Sequence, residues 1–201
     1  MKSTGMRLLP QNLDRDYPVI VRGEGCYLYD DTGARYLDGA AGGVSACSIG
    51  HGVGEVADAI AAQARTLAFA SLSMFTTEPQ QRLAEEVVRF APPGISRAYF
   101  VSTGTEATEL CVKLARSYHL ARGEAERTRV ISRWHGYHGS SLGALAYSGR
   151  SSRRHSLKPY FFPATLIPPP YCYRCPWGRA YPECGTACAW ELDRAIKREG
   201  P

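Results

Sequence analysis

Val101 to Leu110, VSTGTEATEL, joins an apolar run to a helical repeat through five small or polar residues. Before it, RAYFV (Arg97–Val101) has the composition of a short buried strand. After it, Ala107, Leu110, Cys111, Leu114, Ala115 and Tyr118 recur at helical spacing, which predicts a helix ending near Gly123. Thr103 and Glu106 match the S/T-x-x-E capping box that fixes a helix start. The first N–H groups of a helix lack internal partners and the macrodipole is positive there, so an anion is stabilised. Gly104 lets an oxygen come close and the Thr105 hydroxyl adds a donor, a geometry that suits a phosphate monoester. Taken alone, the same turn also describes a capped helix that holds nothing. Neither G-x-x-x-x-G-K-[ST] nor G-x-G-x-x-G occurs, which disfavours a nucleotide P-loop and a dinucleotide fold.

Working outward, RVISRW (Arg129–Trp134) reads as a second strand, so strand, helix and strand predict a right-handed βαβ unit with parallel strands and an α/β fold class. WHGYHGSSLGAL (Trp134–Leu145) follows at the same carboxyl edge, where open α/β sheets bind ligands. A phosphate on one loop and the Tyr137 ring on the next suit a flat, phosphorylated heteroaromatic cofactor, with His138 beside it. The competing reading makes Tyr137 and His138 packed core residues.

Upstream, GCYLYDDTGARYLDG (Gly25–Gly39) predicts a β-hairpin turning at Asp31-Thr32-Gly33. Gly39–Gly52 carries five glycines and predicts a loop. Val53 to Leu67 has one apolar helical face, and a second helix begins near Pro79, with Leu83, Ala84, Val87 and Val88 expected inward, and stops at Pro92-Pro93-Gly94. Pro159 to Pro182 holds seven prolines and reads as a long excursion. A last helix is expected from about Thr186 to Gly200. A βα series that stops directly after a helix is expected to have lost its next strand.

The 201 residues suffice for one domain, given about 100–200 residues per domain. With 44% apolar and 21% charged residues the composition is globular. No apolar run approaches the roughly 18 residues of a membrane span, and the N-terminus has no signal-like apolar region, so a cytoplasmic location with no membrane partner is expected. The net charge of +5 includes a basic cluster, Arg150, Arg153, Arg154, His155 and Lys158, with no nucleic-acid motif around it. It reads as a solvated loop or a subunit contact, and no nucleic-acid partner is expected. Cys172, Cys175, Cys184 and Cys188 have a spacing compatible with zinc, but the x8 and x3 gaps depart from paired C-x-x-C, so no metal ligand is assigned.

The ordered series YLYDDTGARYLDG, the loop ending IGHG, EVADAIAAQ, STGTEATEL, CVKLARSYH and GYHG resembles the class III aminotransferases, pyridoxal-phosphate enzymes of fold type I. The resemblance is close from about Tyr17 to Leu145 and looser elsewhere. It implies a mostly parallel sheet for the large domain preceded by an N-terminal α+β segment: residues 1–50 would belong to the small domain, and 51–201 to the first portion of the cofactor-binding domain. It implies pyridoxal 5′-phosphate, with Gly104 and Thr105 at its phosphate, Tyr137 on its ring, His138 beside it, and Ser102 within the same site. Ser102 and Glu106 would shape the loop rather than react, and Gly42, Gly43, Ser45 and Ala46 would lie in the loop that approaches the substrate. It further implies an amino donor and a keto acid or aldehyde acceptor, and a homodimer when complete.

The family's covalent lysine lies well downstream of GYHG, whereas the lysines here are Lys2, Lys113, Lys158 and Lys197. None has that context, so no catalytic residue is assigned and the chain is expected to be an inactive N-terminal half. Two other readings stand beside this one. The TGTEAT form is similar to the glutamate-1-semialdehyde aminomutase branch, and the cysteine loop could make the chain a non-catalytic module binding a metal or a partner.

Overall fold

The computed structural model describes residues 7–200. They fall into two units, one ending at Leu83 and one beginning at Ala84.

In the first unit, β1 (Ile20–Glu24), β2 (Tyr27–Asp30) and β3 (Arg35–Leu37) form an antiparallel sheet in that order. The expected hairpin is β2–β3, pairing Tyr27 with Leu37 and Tyr29 with Arg35. Its turn is organised by the buried Asp30 carboxylate, which accepts from Thr32 N at 3.0 Å, Thr32 Oγ1 at 2.7 Å, Ala34 N at 2.8 Å and the Tyr36 hydroxyl at 2.7 Å. The Thr32 and Tyr36 hydroxyls, with the two backbone donors, hold the Asp30 carboxyl down at about 2. Gly33 supplies the left-handed residue that the turn needs, at φ 84°. Strand β1 was not anticipated, because Ile20–Glu24 (IVRGE) has neither clear alternation nor a turn joining it by sequence pattern to β2.

Helices α1 (Gly54–Thr66) and α2 (Glu78–Arg89) form close to where the spacing places them. Of the α2 residues expected inward, Ala84 and Val88 are half-buried, whereas Leu83 and Val87 are exposed. Ile60 is 64% exposed and Leu83 52%, and neither helix contains a buried residue. Periodicity specifies which face is apolar, but burial requires a partner surface.

The second unit contains α3 (Gly104–Ala121), β4 (Ile131–Arg133), α4 (Leu142–Tyr147), α5 (Ser151–Arg154), β5 (Thr165–Ile167) and α6 (Ala187–Glu199). Strands β4 and β5 run parallel, pairing Ile131 with Thr165 and Arg133 with Ile167. The expected βαβ unit is therefore corrected. RAYFV is not a strand here; Tyr99 is 66% exposed and nothing pairs with the segment among the described residues. A strand exists only through its ladder, whatever its composition. The parallel partner of β4 comes instead from inside the proline-rich excursion.

Among the described residues the buried apolar ones are Ala144, Leu145, Ala146, Tyr147, Ile167, Ala187 and Ala195, so this unit's core lies where α4 packs on β4 and α6 on β5. Gly149 permits that closeness. A Cβ there would lie 2.3 Å from Arg133 O and 2.4 Å from Trp134 Cα. Arg154 closes the end of α4, donating to the carbonyls of Leu145, Ala146 and Ser148 at 2.5, 2.7 and 2.5 Å.

Candidate functional site

Helix α3 begins as its sequence dictates. Thr103 is extended (φ −143°, ψ 156°) and its Oγ1 accepts from Glu106 N at 3.1 Å. The Glu106 carboxylate reaches back to accept from Thr103 N at 3.1 Å and from Ser102 N at 2.7 Å. The box thus satisfies three N–H groups and leaves two: the N–H groups of Gly104 and Thr105 have no partner among the described residues. A Cβ built on Gly104 meets nothing within 4 Å, so the mouth of the helix is open. Two unpaired donors at a positive helix end make a place for an anion.

The GYHG loop arrives at this mouth. Ser140 N donates to Thr105 Oγ1 at 3.4 Å, and the approach at Gly139 is so tight that a Cβ there would lie 2.6 Å from the same oxygen and 2.9 Å from Thr105 Cα. Because Thr105 Oγ1 accepts from Ser140, its own hydrogen remains available to a ligand oxygen. One turn further along α3, Glu109 accepts from the Ser141 hydroxyl and, at 3.2 Å, from Ala144 N. Ser141 also caps α4, accepting from Ala144 N at 3.1 Å. Thr105 and Glu109, four residues apart on one helical face, therefore clasp the 139–144 segment against α3. Glu109 and the serines 140 and 141 were not singled out from sequence. The i, i+4 relation of Glu109 to Thr105 and the serine preceding LGALAY were the signals available.

Of the residues expected at the site, Ser102, Gly104 and Thr105 stand together at the helix start, and Thr105 joins the loop that carries Tyr137 and His138. His138 is fixed through its backbone, its N–H donating to Ser148 Oγ at 2.9 Å, while its side chain is exposed. Tyr137 is 48% exposed, which removes the packed-core alternative for its ring. Its ring neighbours are Arg150 and Arg153, with guanidinium carbons 5.6 and 5.4 Å from the centroid. No hydrogen bond or ring contact links the Tyr137 or His138 side chain to residues 102–105 among the described residues.

Three lysines can be placed. Lys113 is exposed on α3, about 12 Å along the helix axis from Thr105; Lys158 is exposed; Lys197 pairs with Asp193 at 2.7 Å. Lys2 lies outside the described residues. The cysteines 172, 175, 184 and 188 line one small cavity of about 20 Å³. Among the described residues no group of three His, Cys, Asp or Glu side chains is arranged to hold a metal ion.

The family model for class III aminotransferases matches residues 10–197. The chain belongs to the class III aminotransferase family. It is 37% identical over 193 residues to the uncharacterised aminotransferase YodT of Bacillus subtilis, covering 96% of this chain and 43% of that one. It is 37% identical over 180 residues to the adenosylmethionine-8-amino-7-oxononanoate aminotransferase of Geobacter sulfurreducens, covering 89% of this chain and 40% of that one. The omega transaminase of Pseudomonas jessenii, solved in complex with PMP, superimposes with a TM-score of 0.89 at 28% identity, over 100% of this chain and 46% of that structure. The fold is accordingly that of these fold type I transaminases over the region shared. The chain spans less than half the length of each of these class III relatives.

Proposed function

We propose that this chain provides the phosphate-holding and ring-facing portion of a class III transaminase that uses pyridoxal 5′-phosphate, with residues 1–50 in the small domain and 51–201 in the cofactor-binding domain. The observation that carries the reading is the mouth of α3: two unpartnered N–H groups beside an open Gly104, joined through Thr105 to the loop bearing an exposed aromatic ring. The residues fit the cofactor. The N–H groups of Gly104 and Thr105 and the Thr105 hydroxyl would receive the phosphate, Ser102 shapes the approach through Glu106, and Tyr137 would face the pyridine ring with His138 beside it. Arg150 and Arg153 add positive charge next to that ring.

When bound, the cofactor supplies an electron sink for the carbon bearing the amino group. This chain's part is to bind and orient, and the glycine at the helix mouth lets the anion reach the backbone. No lysine among the described residues stands at the turn. On this reading the 201-residue chain binds the cofactor and does not by itself transfer an amino group. The complete enzyme would be a cytoplasmic homodimer taking an amino donor and a keto acid or aldehyde acceptor. The relatives named above are aminotransferases, which favours transamination over the aminomutase reading and over a non-catalytic cysteine module.

Calorimetric titration of the chain with pyridoxal 5′-phosphate, pyridoxal and inorganic phosphate tests this. Binding of the phosphorylated cofactor, competition by phosphate and much weaker binding of pyridoxal are expected. Equal affinity for pyridoxal, or no competition by phosphate, would refute it.

A further inference from the structure

A second cluster lies in the first unit, at the root of the glycine-rich loop. Asp38 Oδ2 lies 2.9 Å from His51 Nε2, with side chains only 7% and 21% exposed. The same carboxylate accepts from Gly42 N at 2.6 Å and from Ala40 N at 3.3 Å. His51, with these backbone donors, keeps the Asp38 carboxyl below the usual carboxylate range. An ionised carboxylate only accepts, so Nε2 carries a hydrogen, and in the neutral imidazole Nδ1 then presents its lone pair. Nδ1 faces Cys47 Sγ at 3.9 Å. The thiol also lies 3.2 Å from Gly50 O, so rotation about Cβ–Sγ passes its hydrogen between the carbonyl and the imidazole without moving a heavy atom.

The imidazole is held in place. His51 N donates to Gly25 O at 2.8 Å and Gly25 N donates to His51 O at 2.9 Å. Gly23 leaves room for the ring, since a Cβ there would lie 2.6 Å from His51 Cβ and Cγ. Nucleophile, base and an acid that orients the base are thus in line, the arrangement that activates a thiol. Cys47 is half-buried and therefore reachable by a small reagent.

We propose that Cys47 is a modification site, a thiol activated by the His51–Asp38 pair for exchange with low-molecular-weight disulfides. The Cys47 thiol gives its proton to His51 Nδ1, and its sulfur attacks one sulfur of the disulfide. A Cys47–S bond forms, the reagent's S–S bond breaks, and the departing thiolate takes the proton from His51. The added group displaces the Sγ contact with Gly50 O and so frees the loop at that point.

The competing thiol is Cys175, whose sulfur accepts backbone hydrogen bonds from Arg179, Trp177 and Gly178, lowering its pKa. It has no imidazole beside it, so substitution at His51 distinguishes the two. The chain is incubated with oxidised glutathione at neutral pH and the mixed disulfides are located by peptide mass spectrometry, with the exposed Cys26 as reference. Cys47 is expected to react faster than Cys26, and to slow about tenfold or more in His51→Gln, a floor beneath the usual contribution of a positioned base. Asp38→Asn should slow it as well, and Asp38→Glu should restore much of the rate. Unfolding would also remove the activation and bring Cys47 to the rate of exposed Cys26, so slowing in His51→Gln is expected with far-ultraviolet dichroism unchanged, and slowing that appears only with loss of that dichroism overturns the proposal. Reaction of Cys47 no faster than Cys26, or a rate unchanged within about twofold in His51→Gln, overturns the proposal.

Discussion

Gly104→Ala separates the cofactor reading from a merely capped helix. Gly104 is the first residue of α3, it lies outside the left-handed region, and an added Cβ touches nothing within 4 Å. The substitution should therefore leave the chain intact or stabilise it, by about 0.4–1 kcal/mol through the lower entropy of the unfolded state. A helical Cβ tilts toward the N-terminus, so the methyl group projects toward the mouth where the phosphate would approach the Gly104 and Thr105 N–H groups. Loss of one hydrogen bond to a charged oxygen is worth about 1.5–3 kcal/mol. At 1.4 kcal/mol per decade, affinity for pyridoxal 5′-phosphate should fall about 10-fold to 100-fold. Calorimetric titration gives the affinity, and thermal unfolding followed by circular dichroism gives the stability. An affinity unchanged within about twofold, with an unchanged or raised melting temperature, would show that no phosphate sits at this helix start.

Thr103→Ala removes the oxygen that accepts from Glu106 N and should cost about 1 kcal/mol, read from chemical denaturation. Asp30→Asn should remove an acid dependence: with the Asp30 carboxyl held at about 2 in the folded hairpin, its stabilisation is full above the ordinary carboxylate range and is lost as pH falls through about 2. NMR of the hairpin amides between neutral and acidic pH reads this, and an unchanged acid midpoint in the variant would count against the role given to Asp30. Gly149→Ala places a Cβ against the backbone of Arg133 and Trp134, which cannot yield as a flexible side chain would. We expect loss of near-ultraviolet dichroism and of amide protection in α4, and a wild-type exchange pattern would refute the packing described.

What the sequence made legible is what is local. The helix start at Thr103 and the turn at Asp31-Thr32-Gly33 are each specified within a few residues by side chains that satisfy the backbone, and both formed as expected, although the role of Asp30 in the turn was not read from the sequence. RAYFV failed for the opposite reason: its composition suits a strand, but the ladder that would make it one depends on chain far away in sequence. Thr165–Ile167 was hidden by the flanking Pro163 and Pro168 and by its three-residue length, and α4 by its six residues, too few to establish a period. At the site, the turn and the GYHG segment could each be read as motifs. The link between them could not: it is made by Ser140 to Thr105 and Ser141 to Glu109, contacts across more than thirty residues that only the fold brings together.

On the proposed function, the contrast between the helix faces and the site separates binding from turnover. Ile60, Leu83 and Val87 lie exposed on the apolar faces of α1 and α2. The start of α3 is built differently. Thr103, Glu106, Thr105, Ser140, Glu109, Ser141 and Ser148 hold it by polar contacts made within residues 102–148, and α4, onto which it is clasped, is among the few buried pieces of the second unit. On the proposed function, anion binding rests on the unpartnered N–H groups of Gly104 and Thr105, which these satisfied groups hold in place. On that reading, chemistry on the amino group needs a lysine that none of the placed lysines supplies, so these residues would hold the cofactor's phosphate without using it.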